Sequence, residues 1–172
     1  MEAYKILTQT DFTGVSLDEA KQQCRRLSSY TAEDEYFSSL ILVAADFAQT
    51  YLNYMLTAGT VSQYMPYGGV VHLYGGNVTS ITSVVADGVE LVVDEDYVFN
   101  EITEEIAVLS DYSDITITYA VDGMFPQAVK HGILMLISTM YNNREDFITG
   151  LSVESLPLTA KQLFNMSRRY VS

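Results

Sequence analysis

The stretch that most constrains this chain is residues 124–146, MFPQAVKHGILMLISTMYNNRED, which is apolar at most positions. The apolar run at 133–140 is far shorter than the roughly 20 residues that a bilayer requires, and Ser138 and Thr139 interrupt it. The run is therefore not a membrane span. Pro126 suits the first turn of a helix, because the N–H group that proline lacks would have no intrahelical partner there. The segment predicts a helix over residues 125–142.

This predicted helix is apolar on more than one face. One face carries Val129, Ile133, Leu136, Ile137 and Met140, and the remaining faces carry Ala128, Leu134 and Met135. Such a helix must be covered on most sides. Either the chain wraps it completely, or another subunit covers part of its surface.

Length and composition favour one folded domain. The 172 residues are 48% hydrophobic with a mean hydropathy of +0.11, which is enough for a sizeable core. The single cysteine, Cys24, cannot form an internal disulfide, so a reducing compartment fits the chain. The first residues, MEAYKILTQTDF, lack the basic start and apolar segment of a secretory signal, so no export is expected.

The net charge of −13 is concentrated in the middle of the chain. Residues 61–123 hold 11 acids and no lysine or arginine, whereas the flanking regions have net charges of −4 and +2. Affinity for nucleic acid depends on lysine and arginine displacing counterions from phosphates. The middle region should therefore repel a phosphate backbone, and the charge pattern does not favour a conventional DNA-binding protein.

Periodicity predicts two helices before this acidic region. Ser16 and Glu19 form a capping-box pattern that opens a first helix ending near Ser28. Thr31, followed by Asp34, opens a longer second helix that stops near Gly59. After the apolar helix, residues 155–157 introduce a final helix.

The acidic region shows the alternating pattern of β-strands. The predicted strands cover residues 70–74, 81–86, 90–93, 97–100, 105–109 and 115–119. Asp87-Gly88 between β-branched runs predicts a tight hairpin. The chain is therefore predicted to be α+β, mainly α-helical with an antiparallel β insert between the second and third helices. Within a single domain of residues 1–172, the parts are an N-terminal arm (1–15), a helix pair (16–60), the acidic β insert (61–123), and the central apolar and C-terminal helices (124–172).

No pattern predicts a catalytic residue, a cofactor or a metal site. His72 and His131 lie in no recognisable motif, and Cys24 falls on the apolar face of the first helix, where a thiol is usually a small buried hydrophobe. The acids Asp94, Glu95, Asp96, Glu101, Glu104 and Glu105 lack the fixed ligand spacing and turn glycine of a calcium loop. A metal-dependent hydrolase that uses paired acids stays open as the weaker alternative.

The tyrosines favour an assembly protein. Thirteen tyrosines and no tryptophan are present, and Tyr51, Tyr54, Tyr64 and Tyr67 fall near the transition from helix to sheet. Tyrosine is enriched at protein interfaces because it joins an apolar ring to a polar tip. These four residues are candidate subunit-interface residues.

The order of these segments resembles the head-tail connector, or adaptor, family of tailed bacteriophages. The similar segments are SLDEAKQQCRRL, DEYFSSLILVAADFAQTYLN, NVTSITSVVADGVELVVDEDYVF, ITITYAVDGMFPQAVKHGILMLISTMYNNRE and LPLTAKQLFNMSRRY. Together they run from about residue 16 to 171. Each motif is weak by itself, but their ordered combination is fairly specific.

The resemblance implies a structural virion protein without catalysis, assembled in the host cytoplasm. It would form a homo-oligomeric ring of about a dozen copies beneath the portal protein, joining the DNA-filled head to a stopper or tail-completion protein. DNA would pass through the ring without specific binding, and no membrane would be involved. Another neck ring, such as a stopper or tail-completion protein, is the alternative within virions.

In such a ring, the charge pattern suggests two surfaces. The six acids from Asp94 to Glu105 are candidate channel-facing residues, because a ring of acids repels phosphates and leaves a low-friction path. The basic C-terminal residues Lys161, Arg168 and Arg169, with Tyr170, are candidates for docking on the portal or on a neighbouring subunit.

Overall fold

The computed structural model describes residues 3–143 and 158–169 and is 32% helix and 32% strand. The α+β class is confirmed, but the prediction of a mainly α-helical protein with a β insert is wrong, because the β part is as large as the helical part. The chain forms two compact units, one of strands (residues 3–11 and 53–124) and one of helices (residues 12–52, 125–143 and 158–169). The single domain of residues 1–172 stays a prediction.

The strand unit holds two antiparallel sheets in the described residues. Its strands are β1 (Ala3–Gln9), β2 (Gly59–Tyr67), β3 (Val70–His72), β4 (Val78–Ala86), β5 (Val89–Glu90), β6 (Tyr97–Asn100), β7 (Glu105–Val108) and β8 (Ser113–Val121). The large sheet has the order β1-β2-β8-β4-β5, and the small sheet has the order β3-β7-β6. Residues from both sheets meet in one hydrophobic cluster.

The central strand of the large sheet confirms the alternation read from the sequence. In β8 the residues Ile115, Ile117, Tyr119 and Val121 are buried, whereas the threonines between them are not. The hairpin at Asp87-Gly88 is also present and joins β4 to β5. Its two residues have φ of 51° and 81°, the left-handed pair that a two-residue hairpin turn requires.

Three strands depart from the sequence prediction. Residues 3–9, predicted as an N-terminal arm, form edge strand β1, in which Ile6 pairs with Val61 of β2. Strand β2 itself occupies a stretch left outside the predicted strands, because its inward positions are Val61, Gln63 and Met65 and the central one is polar. Strand β5 has only two residues, whereas the sequence predicted a strand over residues 90–93. Its pairing with β4 is therefore short.

The helical unit contains α1 (Leu17–Gln23), α2 (Asp34–Leu52), α3 (Gln127–Asn142) and α4 (Leu158–Asn165). The capping box at the start of α1 is confirmed: the Glu19 N–H donates to Ser16 Oγ at 3.2 Å, and the Ser16 N–H donates to Glu19 Oε2 at 2.9 Å. Both α1 and α2 end earlier than predicted. Arg25 (φ 58°) and Asn53 (φ 62°) adopt left-handed backbone conformations just beyond them, which stop each helix.

The apolar helix α3 lies at the centre of the helical unit and packs against α1, α2 and α4. None of its residues from 132 to 141 is exposed. Gly132 allows α4 to approach, because a Cβ at this position would lie 2.5 Å from the Phe164 ring. Of the two possibilities for covering this helix, the described residues favour the first, in which the chain covers it.

Polar contacts hold the α1–α2 connection in place. Lys21 is buried, forms an ion pair with Asp34 at 2.5 Å and donates to the Ser28 carbonyl at 3.2 Å. The Tyr141 hydroxyl of α3 accepts from Arg26 Nε at 2.8 Å and donates to Glu33 Oε2 at 2.7 Å. These bonds join α3 to both ends of the connection.

Candidate functional site

The six candidate channel acids fall into two groups at opposite ends of the β6–β7 hairpin. Asp94, Glu95 and Asp96 precede β6, and Glu101, Glu104 and Glu105 lie in the turn that joins β6 to β7 and at the start of β7. Strand β6 has four residues, so the groups are roughly 13 Å apart along the strand. The structure therefore does not bring the six acids together as one cluster.

The turn at residues 94–96 contains two exposed acids and one that holds the turn. Asp94 and Glu95 are exposed, whereas Asp96 is half-buried. Asp96 accepts from the Val92 N–H through Oδ2 at 2.9 Å and from the Tyr112 hydroxyl through Oδ1 at 3.1 Å. That second bond, together with burial, raises the pKa of Tyr112. Asp96 is thus a structural acid as much as a surface acid.

Glu104 was predicted to be a surface acid, but it is buried in the structure. It is only 8% exposed, and its carboxylate accepts from the Val78 N–H at 3.2 Å. Its own carbonyl accepts from the Leu73 N–H at 2.9 Å. Glu104 also has a left-handed φ of 53°. Nearby, Glu101 is exposed and Glu105 is half-buried.

The outer face of the small sheet is an apolar surface that the sequence analysis did not identify. Val70 of β3 and Val98 of β6 both pair with Ala107 of β7, so the three form one row across the sheet. Val70 is 66% exposed and Val98 is 43% exposed. Leu109 follows β7 on the same side and is 57% exposed. We call Val70, Val98, Ala107 and Leu109 the small-sheet face.

Polar residues border this face on one side. The next row across the small sheet is His72, Glu105 and Asn100, which pair in the same way. The acidic turn at residues 94–96 lies at the other end of the strands, where the Leu109 N–H donates to the Asp96 carbonyl at 2.8 Å. The small-sheet face therefore lies between acids, in a region of sequence without lysine or arginine.

The four candidate interface tyrosines differ in their surroundings. Tyr54 is fully buried, which is incompatible with a role on the surface of the chain. Tyr64 is half-buried and donates to Asp114 at 2.6 Å, a bond that raises its pKa. Tyr67 is the most exposed, at 74%. Tyr51 is half-buried in the helical unit and donates to Asn165 at 2.8 Å.

The basic C-terminal residues lie on and beyond α4. Lys161 and Arg168 are exposed and Arg169 is half-buried. The Arg168 guanidinium lies 4.8 Å above the Tyr51 ring, and the Arg169 N–H donates to the Leu52 carbonyl at 3.1 Å. Met166, which lies between Lys161 and Arg168 in the sequence, is 78% exposed. Tyr170, the fourth candidate, lies outside the described residues.

A second exposed apolar surface belongs to α2. Leu42, Val43 and Phe47 lie on its outer side, at 55%, 52% and 40% exposure, with Asp46 among them. From the sequence, α3 was the helix for which partial cover by another subunit was one of two possibilities. In the structure α3 is covered by its neighbours and α2 carries the exposed apolar residues.

The residues without a predicted role remain unremarkable. His72 is half-buried on β3, His131 is exposed on α3, and burial raises the pKa of the Cys24 thiol. Within residues 3–143 and 158–169, no group of three or more His, Cys, Asp or Glu side chains could hold a metal ion. Among the helices so described, none has the length and apolarity needed to cross a membrane.

Three solved structures that are similar to this chain come from gene transfer agent (GTA) particles. The chain is similar to a protein in the neck of an empty GTA particle computed with C6 symmetry, with TM-score 0.71, 17% identity, and 99% and 97% of the two chains covered. A protein in the neck of a native GTA particle computed with C12 symmetry gives a TM-score of 0.65, 12% identity, and 99% and 97% coverage. A protein in the native GTA virion gives a TM-score of 0.66 and 14% identity, with 98% of this chain and 96% of that chain covered. No curated protein matches the sequence significantly.

The fold of this chain is thus shared with proteins of these particles. Residues 15–168 match the model of the phage gp6-like head-tail connector proteins, and the chain belongs to this family. It is a structural virion protein of the head-tail connector type. The resemblance noted in the sequence is confirmed.

Proposed function

We propose that this connector protein forms a closed homo-oligomeric ring through which DNA passes between head and tail, and that it catalyses no reaction. The observation that carries the proposal is the family match over residues 15–168. Support for a ring comes from the similar folds in necks computed with C6 and C12 symmetry. Its partners on the two sides would be the portal protein and a stopper or tail-completion protein.

The acidic turn at residues 94–96 is the part of the chain that we assign to the channel wall. Asp94 and Glu95 are exposed and carry charges that repel phosphates. A ring repeats this turn once per subunit, so DNA would meet a band of negative charge and would not adhere. For Glu101 and Glu105, at the other end of the hairpin, a place on the channel wall stays a prediction.

Electron microscopy with the portal protein tests the ring. The purified chain, mixed with portal protein from the same particle, should add a ring to one end of the portal in negative stain, and the chain alone is the control. Absence of any added ring at high concentration would refute the proposal. The same images show which end of the portal is occupied.

A pair of substitutions tests the channel assignment separately. Asp94→Asn with Glu95→Gln should leave rings intact but slow DNA passage, measured as the rate of DNA ejection from assembled particles. Asp96 is kept, because it holds the turn through Val92 and Tyr112. The matched control is Asp18→Asn with Glu35→Gln, two exposed or partly exposed acids of the helical unit. Equal ejection rates in both variants would exclude the channel assignment.

A further inference from the structure

We infer that the small-sheet face of one copy is the surface on which the α4 end of the next copy docks. This inference rests on the proposed ring and names two surfaces that would meet in it. The first is the apolar row of Val70, Ala107 and Val98, with Leu109. The second is Met166, flanked by Lys161 and Arg168.

The small-sheet face has the composition of a protein-binding surface. Three of its four residues are large and 43% or more exposed, whereas the opposite face of the same strands carries the buried Val71, Ile106 and Val108. An exposed apolar row in register across a sheet is a site for a partner or a liability for aggregation. The strands on both of its edges, β3 and β6, are only three and four residues long. Short edges discourage the addition of another strand, so the partner is expected to cover the face.

The charges around the small-sheet face indicate what kind of surface can bind to it. Every charged side chain in residues 61–123 is acidic, and Glu105 and Asp96 lie on either side of the apolar row. A partner that covers the row must therefore bring positive charge around an apolar centre. DNA cannot do so, because its phosphates would meet the same acids.

The α4 end of the chain has the matching composition. Met166 is 78% exposed and is the most exposed large apolar residue of the helical unit in the described chain. Lys161 and Arg168 are exposed on either side of it in sequence. Methionine is flexible and polarisable and packs readily against irregular apolar surfaces. An apolar residue between two bases is complementary to an apolar row between acids.

The contact that follows is heterologous, because two different surfaces of identical chains meet. Head-to-tail contacts of this kind generate closed rings when the rotation closes. Each copy would offer its small-sheet face to one neighbour and its α4 end to the other. Asp94 and Glu95, outside the apolar row, would stay available to the channel.

Crosslinking in assembled rings tests the contact. In a Cys24→Ser background, Val98→Cys and Met166→Cys are combined on one chain, rings are assembled on portal protein, and a short bis-maleimide is added. A head-to-tail contact should give a ladder of covalent oligomers beyond the dimer on a denaturing gel. Either cysteine alone should give at most a dimer. A pair on the wrong surface, Val98→Cys with Leu42→Cys, is the matched control, because Leu42 belongs to the other exposed apolar surface.

The outcomes separate this inference from the proposed function. Rings in the micrographs together with no ladder from Val98→Cys and Met166→Cys would overturn the docking surface and leave the connector ring standing. A ladder from the Leu42 pair alone would assign the contact to α2 and also overturn it. If no ring is seen on the portal, the proposed function and this inference fail together.

A charge reversal gives a second readout that does not depend on crosslinking. Lys161→Glu should raise the protein concentration needed for half-maximal ring formation by about two- to tenfold, since one attraction per contact becomes a repulsion. Adding Glu105→Lys on the same chain should restore part of this loss. No rescue by the second substitution, with circular dichroism showing both variants folded, would contradict the pairing of these surfaces.

Discussion

The ring of Tyr4 on β1 stacks on the ring of Tyr74, with the centroids 3.7 Å apart and the planes 13° from parallel. Strand β1 is otherwise exposed along its length, apart from the half-buried Ile6. The stack is therefore one of the side-chain contacts that hold the first strand on the sheet, together with Ile6, which packs against the core cluster. Backbone pairing with β2 alone leaves an edge strand of this kind weakly protected.

Tyr4→Ala should release β1 locally without unfolding the protein. Stacked aromatic pairs contribute about 0.5–1.5 kcal/mol beyond the area they bury, so opening of β1 should become about 2- to 12-fold more frequent. Amide hydrogen exchange at residues 3–9 measures this opening. Leu7→Ala, an exposed change on the same strand, is the control and should have a smaller effect. Equal exchange in the two variants would contradict the role of the stack.

Gln63 is expected to be the polar residue whose loss costs the strand unit most. Its Oε1 accepts from the Tyr119 hydroxyl at 2.8 Å and from the Tyr74 N–H at 3.0 Å, and its Nε2 donates to the His72 carbonyl at 3.1 Å. Gln63→Leu leaves these buried groups without that partner, at about 1–3 kcal/mol for each group that finds no other. Urea unfolding should show the loss. A Tyr119→Phe variant removes one bond and should cost only about 1 kcal/mol.

Alkaline pH should destabilise the strand unit through its buried tyrosines. Burial raises the pKa of Tyr119 and of Tyr74 well above the usual value of about 10. Because the folded state holds these protons more tightly, the stabilisation is complete below pH 10 and is lost as pH rises further. Tyr119→Phe should reduce the slope of unfolding free energy against pH above 10 by up to about 1.4 kcal/mol per pH unit. An unchanged slope would show that Tyr119 loses its proton as readily in the folded state as in the unfolded state, which would contradict the raised pKa.

Gly132→Ala should loosen α4 even though alanine favours helices. A Cβ at residue 132 would lie 2.5 Å from Phe164, which is fully buried, so the ring and α4 must shift. Overpacking of this kind costs about 1–3 kcal/mol, against roughly 1 kcal/mol gained in helix propensity. Faster hydrogen exchange in residues 158–165 would show the effect. Adding Phe164→Leu should relieve the contact, and a failure to do so would point to another cause.

The sequence predicted the elements whose signals are local. The β8 alternation is visible because Ile115, Ile117 and Tyr119 face inward while threonines separate them. The Asp87-Gly88 turn and the Ser16-Glu19 capping box depend on a few adjacent residues. In each case the side chains that decide the conformation are neighbours in sequence, and these predictions are confirmed.

The elements that were missed depend on distant partners or on buried polar groups. Strand β1 has little apolar periodicity of its own and exists through pairing with β2, more than fifty residues later. Strand β2 has Gln63 at an inward position, which hides its alternation until Tyr119 and Tyr74 are seen to bond with it. The early end of α1 follows from the left-handed backbone at Arg25, a residue type with no such preference.

The candidate surfaces likewise include features that are visible in the sequence and features that depend on distant segments. The acids and bases were identifiable from charge alone, but the burial of Glu104 and Tyr54 was not, since both depend on the packing of other segments. The small-sheet face could not be found by reading along the chain. It exists only because Val70, Ala107 and Val98 come from three strands that align in register.

The segments of the two units alternate along the chain, so parts of the helical unit are synthesised before and after most of the strand unit. Helix α2 is synthesised before residues 53–124, yet α3 and α4, which cover its buried side, come after them. At about 5–20 residues per second, those 72 residues take roughly 4–14 s. During that interval Phe37, Leu40 and Ile41 have no helix from the C-terminal half to pack against. The buried side of α2 is therefore completed only by helices that are synthesised after the whole of residues 53–124.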